Sequence, residues 1–143
     1  MASQDGIHTG RCLCGAVRFR TEGKPLWVAH CHCESCRRNT GSPMTSFVGY
    51  RAEQVTYTQG KPAVYESSPG VERAFCARCG TPMTYGGARA PGELHVYLCT
   101  LDDPENFPPT VHVHVGERLP WFDTTDKAPR YRVSGRSGEP PIG

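Results

Sequence analysis

Seven of the eight cysteines fall into three tight clusters, and their spacing restricts the fold more than any other feature of the chain. Cys12-Leu13-Cys14 is a C-x-C pair. Cys31-His32-Cys33-Glu34-Ser35-Cys36 is a C-x-C-x-x-C triad. Cys76-Ala77-Arg78-Cys79, followed by Gly80, is a C-x-x-C pair, and Cys99 stands alone. In extended chain, residues i and i+2 face the same side. Cys12 and Cys14 can therefore offer two sulfurs to one metal, and so can Cys31 and Cys33. C-x-x-C before a glycine is a tight turn with the same effect, and Gly80 can take the positive φ it needs.

Zinc takes four protein ligands in a structural site, and three plus an open position in a catalytic one. The clustered cysteines divide into four plus three. Cys12, Cys14, Cys76 and Cys79 are expected to form a structural zinc site that staples the two halves of the chain. The alternative for these pairs is a redox dithiol or unconnected buried cysteines. Cys31, Cys33 and Cys36 remain as a local triad. It reads either as a second zinc with an open position or as a structural zinc completed by His30, His32 or Glu34. Alternation puts His30 and His32 on the face opposite Cys31 and Cys33, which argues against them as ligands. Cys99 is expected to be a buried small hydrophobe rather than a reactive thiol.

Around these clusters the apolar residues alternate with period two. Ala16 to Arg20, Leu26 to Ala29, Thr45 to Tyr50, Gln54 to Thr58, Ala63 to Glu66, Val71 to Phe75, Pro82 to Tyr85, Leu94 to Leu98 and Thr110 to Val115 all read as short strands. With 16 Gly and 13 Pro among 143 residues, turns are frequent and long helices have little room. Helical turns are expected only at Glu34 to Asn39, stopped by Gly41, and near Asp102 to Asn106, stopped by Pro108-Pro109. The expectation is a single all-β domain over residues 1–133, with 134–143 (SGRSGEPPIG) as a mobile tail that has little to bury.

Composition excludes several roles. A net charge of +2 gives no argument for nucleic acid. No apolar run approaches the roughly 18 residues of a membrane span, and the start carries no signal-peptide pattern. Reducing cytosol is the expected compartment, where clustered cysteines are metal ligands or redox groups. His112 and His114 look like a metal pair, but Val111, Val113 and Val115 form an apolar face, so the histidines read as the other face of a strand. His95 alternates with Leu94 and Val96 in the same way. Arg37-Arg38 reads as a solvated turn or as a carboxylate-binding pair beside the triad. Asp102-Asp103-Pro104 reads as a cap.

The ordered set Gly10-x-Cys12-x-Cys14-Gly15-Ala16-Val17-Arg18-Phe19, Cys31-His32-Cys33-x-x-Cys36-Arg37-x-x-x-Gly41, Phe75-Cys76-x-x-Cys79-Gly80-Thr81, Leu101-Asp102-Asp103-Pro104 and Pro120-Trp121 resembles the glutathione-dependent formaldehyde-activating enzyme (GFA or CENP-V domain) family. The resemblance runs from about Gly10 to about Asp126. It implies a β-tent of two curved antiparallel sheets with short helical turns. It also implies two zinc ions per chain, one structural on Cys12, Cys14, Cys76 and Cys79, the other on Cys31, Cys33 and Cys36. The activity it implies is condensation of formaldehyde with glutathione to S-(hydroxymethyl)glutathione, a carbon–sulfur lyase reaction run backwards. Arg37 is the candidate contact for a glutathione carboxylate. The rival readings are a protein that only carries a small thiol, a zinc-scaffold interaction module, and a sulfoxide reductase using Cys99.

Overall fold

The computed structural model describes residues 3–142, and among them the chain is almost entirely strand and turn. The strands are β1 (Ile7–Arg11), β2 (Arg18–Glu22), β3 (Trp27–Cys31), β4 (Thr45–Arg51), β5 (Val55–Gln59), β6 (Ala63–Ser68), β7 (Val71–Phe75), β8 (Pro82–Gly87), β9 (Glu93–Tyr97) and β10 (Val111–Val113). One α-helix is found among the described residues, α1 (Glu34–Thr40), between β3 and β4. Short 3₁₀ turns follow β4 and β9 and flank β10.

The strands form two sheets, as the family resemblance implies. The smaller has the order β1-β2-β5 and the larger the order β10-β3-β4-β9-β8-β7-β6. The β6–β9 pairings are antiparallel. β10 departs from the expected pattern by pairing in parallel with β3, His112 opposite His30 and Val113 opposite Cys31.

The chain divides into two compact units. The first runs to Trp27 and resumes over Val48–Pro108; the second is Val28–Phe47 and the residues from Pro109 on. The first unit buries Phe19, Tyr50, Met83, Val96 and Phe107. At about 1.5–3 kcal/mol for each large apolar side chain, this core is its main source of stability. Close backbone approach is built into it. A Cβ at Gly49 would overlap the indole of Trp27, so only glycine lets that ring lie across β4.

Candidate metal centres

Two hairpin ends build the first centre. β1 and β2 are joined by residues 12–17, where Cys12 N–H donates to the Val17 carbonyl (3.0 Å) and Gly15 N–H to the Cys12 carbonyl (3.1 Å). β7 and β8 are joined by residues 76–81 in nearly the same way, Cys76 to Thr81 (2.9 Å) and Gly80 to Cys76 (2.8 Å). Gly15 and Gly80 both sit at positive φ, 81° and 82°, where a side chain would be strained. The two knuckles meet, with Leu13 N–H donating to Thr81 Oγ1 at 3.0 Å. This brings Cys12, Cys14, Cys76 and Cys79 together, with their sulfurs all within 4.8 Å of one another.

The second centre is local. β3 ends at Cys31, and Cys33 is the N-cap of α1, its Sγ accepting the Cys36 N–H at 3.3 Å. Cys36 lies one turn into α1 and is buried. The helix stops at Gly41, whose φ of 68° lets its N–H close on the Arg37 carbonyl at 2.7 Å. Cys31, Cys33 and Cys36 converge within 4.8 Å, and among the described residues no other Cys, His, Asp or Glu joins the group. Each fourth ligand considered from sequence is engaged elsewhere. His30 Nδ1 meets Ser46 Oγ at 2.7 Å, His32 Nε2 meets His112 Nδ1 at 2.9 Å, and Glu34 binds Arg38 at 2.8 Å.

Both groups fit a tetrahedral metal. Sulfurs placed about 2.3 Å from a central zinc stand about 3.8 Å apart. The Cys12–Cys14, Cys14–Cys76 and Cys31–Cys36 sulfurs are 3.6, 3.8 and 3.7 Å apart. A disulfide needs about 2.05 Å, and none of the eight cysteines forms one. Crowding also separates the thiols electrically. Hydrogen bonds from Cys31 and Cys36 hold the Cys33 thiol down at about 2, while contacts with Cys33 and Cys36, and then burial, push Cys31 far up. Three thiolates this close repel, and a cation at their centre lets all three lose the proton.

Beside the triad, α1 and the chain after β10 enclose an open groove of about 630 Å³, lined by Glu34, Arg37, Arg38, Pro43, Leu119 and Trp121. Arg37 anchors one wall, with Nη1 donating to the His32 carbonyl at 2.8 Å and to the Glu117 carbonyl.

Residues 7–117 match the family model described as glutathione-dependent formaldehyde-activating enzyme. The chain belongs to that family. It is 26% identical over 128 residues to an uncharacterized lyase of Schizosaccharomyces pombe, covering 88% of this chain and 91% of that one. It is 29% identical over 124 residues to a Halomonas elongata protein whose provisional name is glutathione-dependent formaldehyde-activating enzyme, covering 80% of this chain and 78% of the relative. A crystal structure of a Rhodobacter sphaeroides protein shares the fold, with TM-score 0.57 and 24% identity, over 66% of this chain and 87% of that one.

This member of the glutathione-dependent formaldehyde-activating family departs from the sequence reading at several side chains. His112 is the buried residue of β10, at 1% exposure, and Val111 and Val113 are only half-buried. The histidine face turns inward because Asp126, thirteen residues past β10, supplies His112 Nε2 with a carboxylate at 2.9 Å. Cys99 is exposed, not buried, because the 3₁₀ turn at Leu98–Thr100 turns its two neighbours inward instead. Asp103 stands at the N-cap of the Pro104–Asn106 turn without a side-chain cap bond; its carboxylate meets His8 Nδ1 at 2.7 Å and accepts from Asn106 at 2.8 Å. His95 packs edge-on to Trp27 and binds Glu93 at 3.0 Å. No helix among the described residues is long and apolar enough to cross a membrane.

Proposed function

We propose that this chain is a zinc-dependent, carbon–sulfur lyase-type enzyme that acts on glutathione and a small aldehyde such as formaldehyde. One zinc is held by Cys12, Cys14, Cys76 and Cys79 as a structural staple, and a second by Cys31, Cys33 and Cys36 as the reactive centre. The observation that carries the reading is the three-cysteine group with no fourth side-chain ligand among the described residues. Family membership and the lyase name of one relative support the reaction class. Thiolate ligands need a reducing compartment, and the cytoplasm is the one we propose.

A zinc ion on the triad would supply a soft cationic centre where a substrate thiol is held as thiolate. The chain's own residues set the surroundings. Cys31 and Cys36 are buried while Cys33 is half-exposed, so the triad meets solvent on the Cys33 side. Arg37 lines the groove next to it, and its remaining N–H groups are our candidate for a substrate carboxylate. The thiol adds to formaldehyde to give an S-hydroxymethyl product. A carbon–sulfur bond forms as the carbonyl π bond opens. Sulfur loses one proton and oxygen gains one. The groove is open to water, so solvent can carry both.

Calorimetric titration with glutathione and S-methylglutathione tests the binding half. The methylated thiol keeps both carboxylates but cannot form a thiolate, and weaker binding is expected. Equal affinity would remove sulfur coordination from the account. Catalysis requires that the wild type speed approach to the formaldehyde–glutathione equilibrium beyond Cys33→Ser at equal concentration.

A further inference from the structure

The exposed face of the β1-β2-β5 sheet gathers cations that the thiol chemistry leaves unused. Both β1 and β2 alternate exposed with buried residues, so Thr9 and Arg11 share this face with Arg18 and Arg20. The register sets Arg11 opposite Arg18 and Thr9 opposite Arg20, with Gln59 and Thr56 of β5 beyond them. Like charges directly opposite destabilise an antiparallel pair. Among the described residues no carboxylate forms an ion pair with Arg11, Arg18 or Arg20 to offset this. Two acids border the face, Glu22 opposite Ile7 at its far end and Asp102 bonded to Thr9 Oγ1 at 2.7 Å. Two of the arginines converge. Gly15, at φ 81°, turns the chain between β1 and β2, and a Cβ there would lie 3.0 Å from Arg18 Nη2 and 3.7 Å from Arg11 Nη1. The two nitrogens are therefore at most about 6.7 Å apart, across the space the missing side chain leaves. Arg11 is held in place, since its Nη1 donates to the Cys12 and Leu13 carbonyls at 3.1 and 2.9 Å. Gln59 Nε2 fixes the Gly15 carbonyl from below at 3.2 Å. Arg18 has no hydrogen-bond or ion-pair partner among the described residues.

We propose that Arg11 and Arg18 form a phosphate-binding clamp, with Arg20 placed for the second phosphate of a diphosphate. This does not depend on the thiol reading. Two charge-assisted bonds of about 2.8 Å, made to different oxygens of one tetrahedral anion, bridge a gap of this size. A planar carboxylate is matched instead by the fork of a single guanidinium. Arg20 lies two residues past Arg18 on the same face, about 7 Å along the strand. It extends the cationic row in the direction a second phosphate would take. The ligand is recognised by its phosphate alone. Phe19 and Tyr57 are paired on the opposite face of the sheet, away from the arginines. The arginine face therefore offers no ring on which a base can stack.

The test is calorimetry on the zinc-loaded protein in phosphate-free buffer at fixed ionic strength. The probes are inorganic phosphate, pyrophosphate and adenosine monophosphate. Phosphate should bind, and Arg18→Gln should weaken it about tenfold or more while zinc content and melting stay as in the wild type. Pyrophosphate should bind about fivefold tighter than phosphate, and Arg20→Gln should abolish that advantage. Adenosine monophosphate within about threefold of phosphate supports recognition of phosphate alone. Binding about tenfold tighter than phosphate overturns that part and makes a larger phosphorylated molecule the ligand. Phosphate affinity unchanged in a folded Arg18→Gln, or no binding to the wild type, overturns the clamp. Loss of zinc from Arg18→Gln, with no phosphate bound by the wild type, would make the arginines counter-charges of the four-thiolate centre instead. Should Arg18→Gln fail to fold, the arginine Nε–H resonances of the wild type decide. They should move with phosphate and not with chloride, and resonances that respond alike to both overturn the proposal.

Discussion

His32 Nε2 lies 2.9 Å from His112 Nδ1, and both rings are buried at 1% exposure. The far side of His112 sets which atom donates when the ring is neutral. Its Nε2 faces the Asp126 carboxylate, which can only accept, so that nitrogen carries the hydrogen. In the neutral His112 ring Nδ1 is then bare, and His32 Nε2 donates to it. Burial, and then the His112 neighbour, lower His32 to about 4, so the ring is neutral near pH 7. A carboxylate on the loop after β10 thereby sets the hydrogen position two rings away, in the segment between Cys31 and Cys33.

Asp126→Asn removes the charge that begins this chain. The Thr124 hydroxyl first, and His112 second, hold the Asp126 carboxyl well below its usual 3.8. A carboxyl lowered by folding stabilises the protein above its unfolded value, and that contribution fades as pH falls below it. The variant should be less stable by about 1 kcal/mol, a low figure because Asp126 is exposed. The gap should be constant between about pH 5 and 8 and should shrink below pH 3.8. Urea unfolding of both proteins across this range checks it; a gap that widens toward low pH contradicts the assignment.

Metal content should reach two zinc ions per chain in protein purified reduced and without chelator. Elemental analysis measures it. A chelator titration should remove the triad's zinc first, since three protein ligands hold less tightly than four. Retention of both should weaken as pH falls, because protons compete for the same thiolates.

The two centres should differ in what they support. Cys76→Ser breaks a cluster joining two hairpins and should unfold or aggregate the chain. Cys33→Ser touches a cluster confined to β3 and α1 and should leave a folded protein with less metal. Circular dichroism and melting compare them. Equal loss of fold would make the triad structural.

Arg37→Ala should lower stability by about 1–3 kcal/mol, because the guanidinium bonds the carbonyls of His32 and Glu117. Arg37→Lys keeps the charge but loses the fork. If Arg37 also holds a substrate carboxylate, glutathione affinity should fall in both variants, measured at a temperature where both are folded.

Gly49→Ala places a methyl group against the Trp27 indole. Overpacking of this kind costs about 1–3 kcal/mol. The displaced ring would also leave Glu93, which accepts from Trp27 Nε1 at 3.3 Å, so the near-ultraviolet circular dichroism of Trp27 should change with the melting temperature.

What the amino-acid order reveals here follows from period and spacing. Nine of the strands are visible as short apolar or alternating runs between turn residues, although β5 and β6 bury no residue fully. β1 is not, because its buried residues are His8 and Gly10 while Ile7 is exposed. The convergence of the cysteines is legible because C-x-C and C-x-x-C spacings set two sulfurs side by side. The His32–His112–Asp126 chain is not legible. Its members are 80 and 14 residues apart, and only the parallel seating of β10 on β3 brings them together. The Trp121 groove is hidden for the same reason.

The separation of Cys14 from Cys76 by 62 residues has a consequence for the order of events during synthesis. At roughly 5–20 residues per second, the second knuckle leaves the ribosome about 3–12 seconds after the first. The triad is complete within six residues of Cys31 and can load a metal during that interval. Cys12 and Cys14 must meanwhile wait as an exposed pair of thiols. An oxidant that reaches the nascent chain in those seconds would therefore strike the first hairpin, at a cost to the mature protein out of proportion to the two atoms involved.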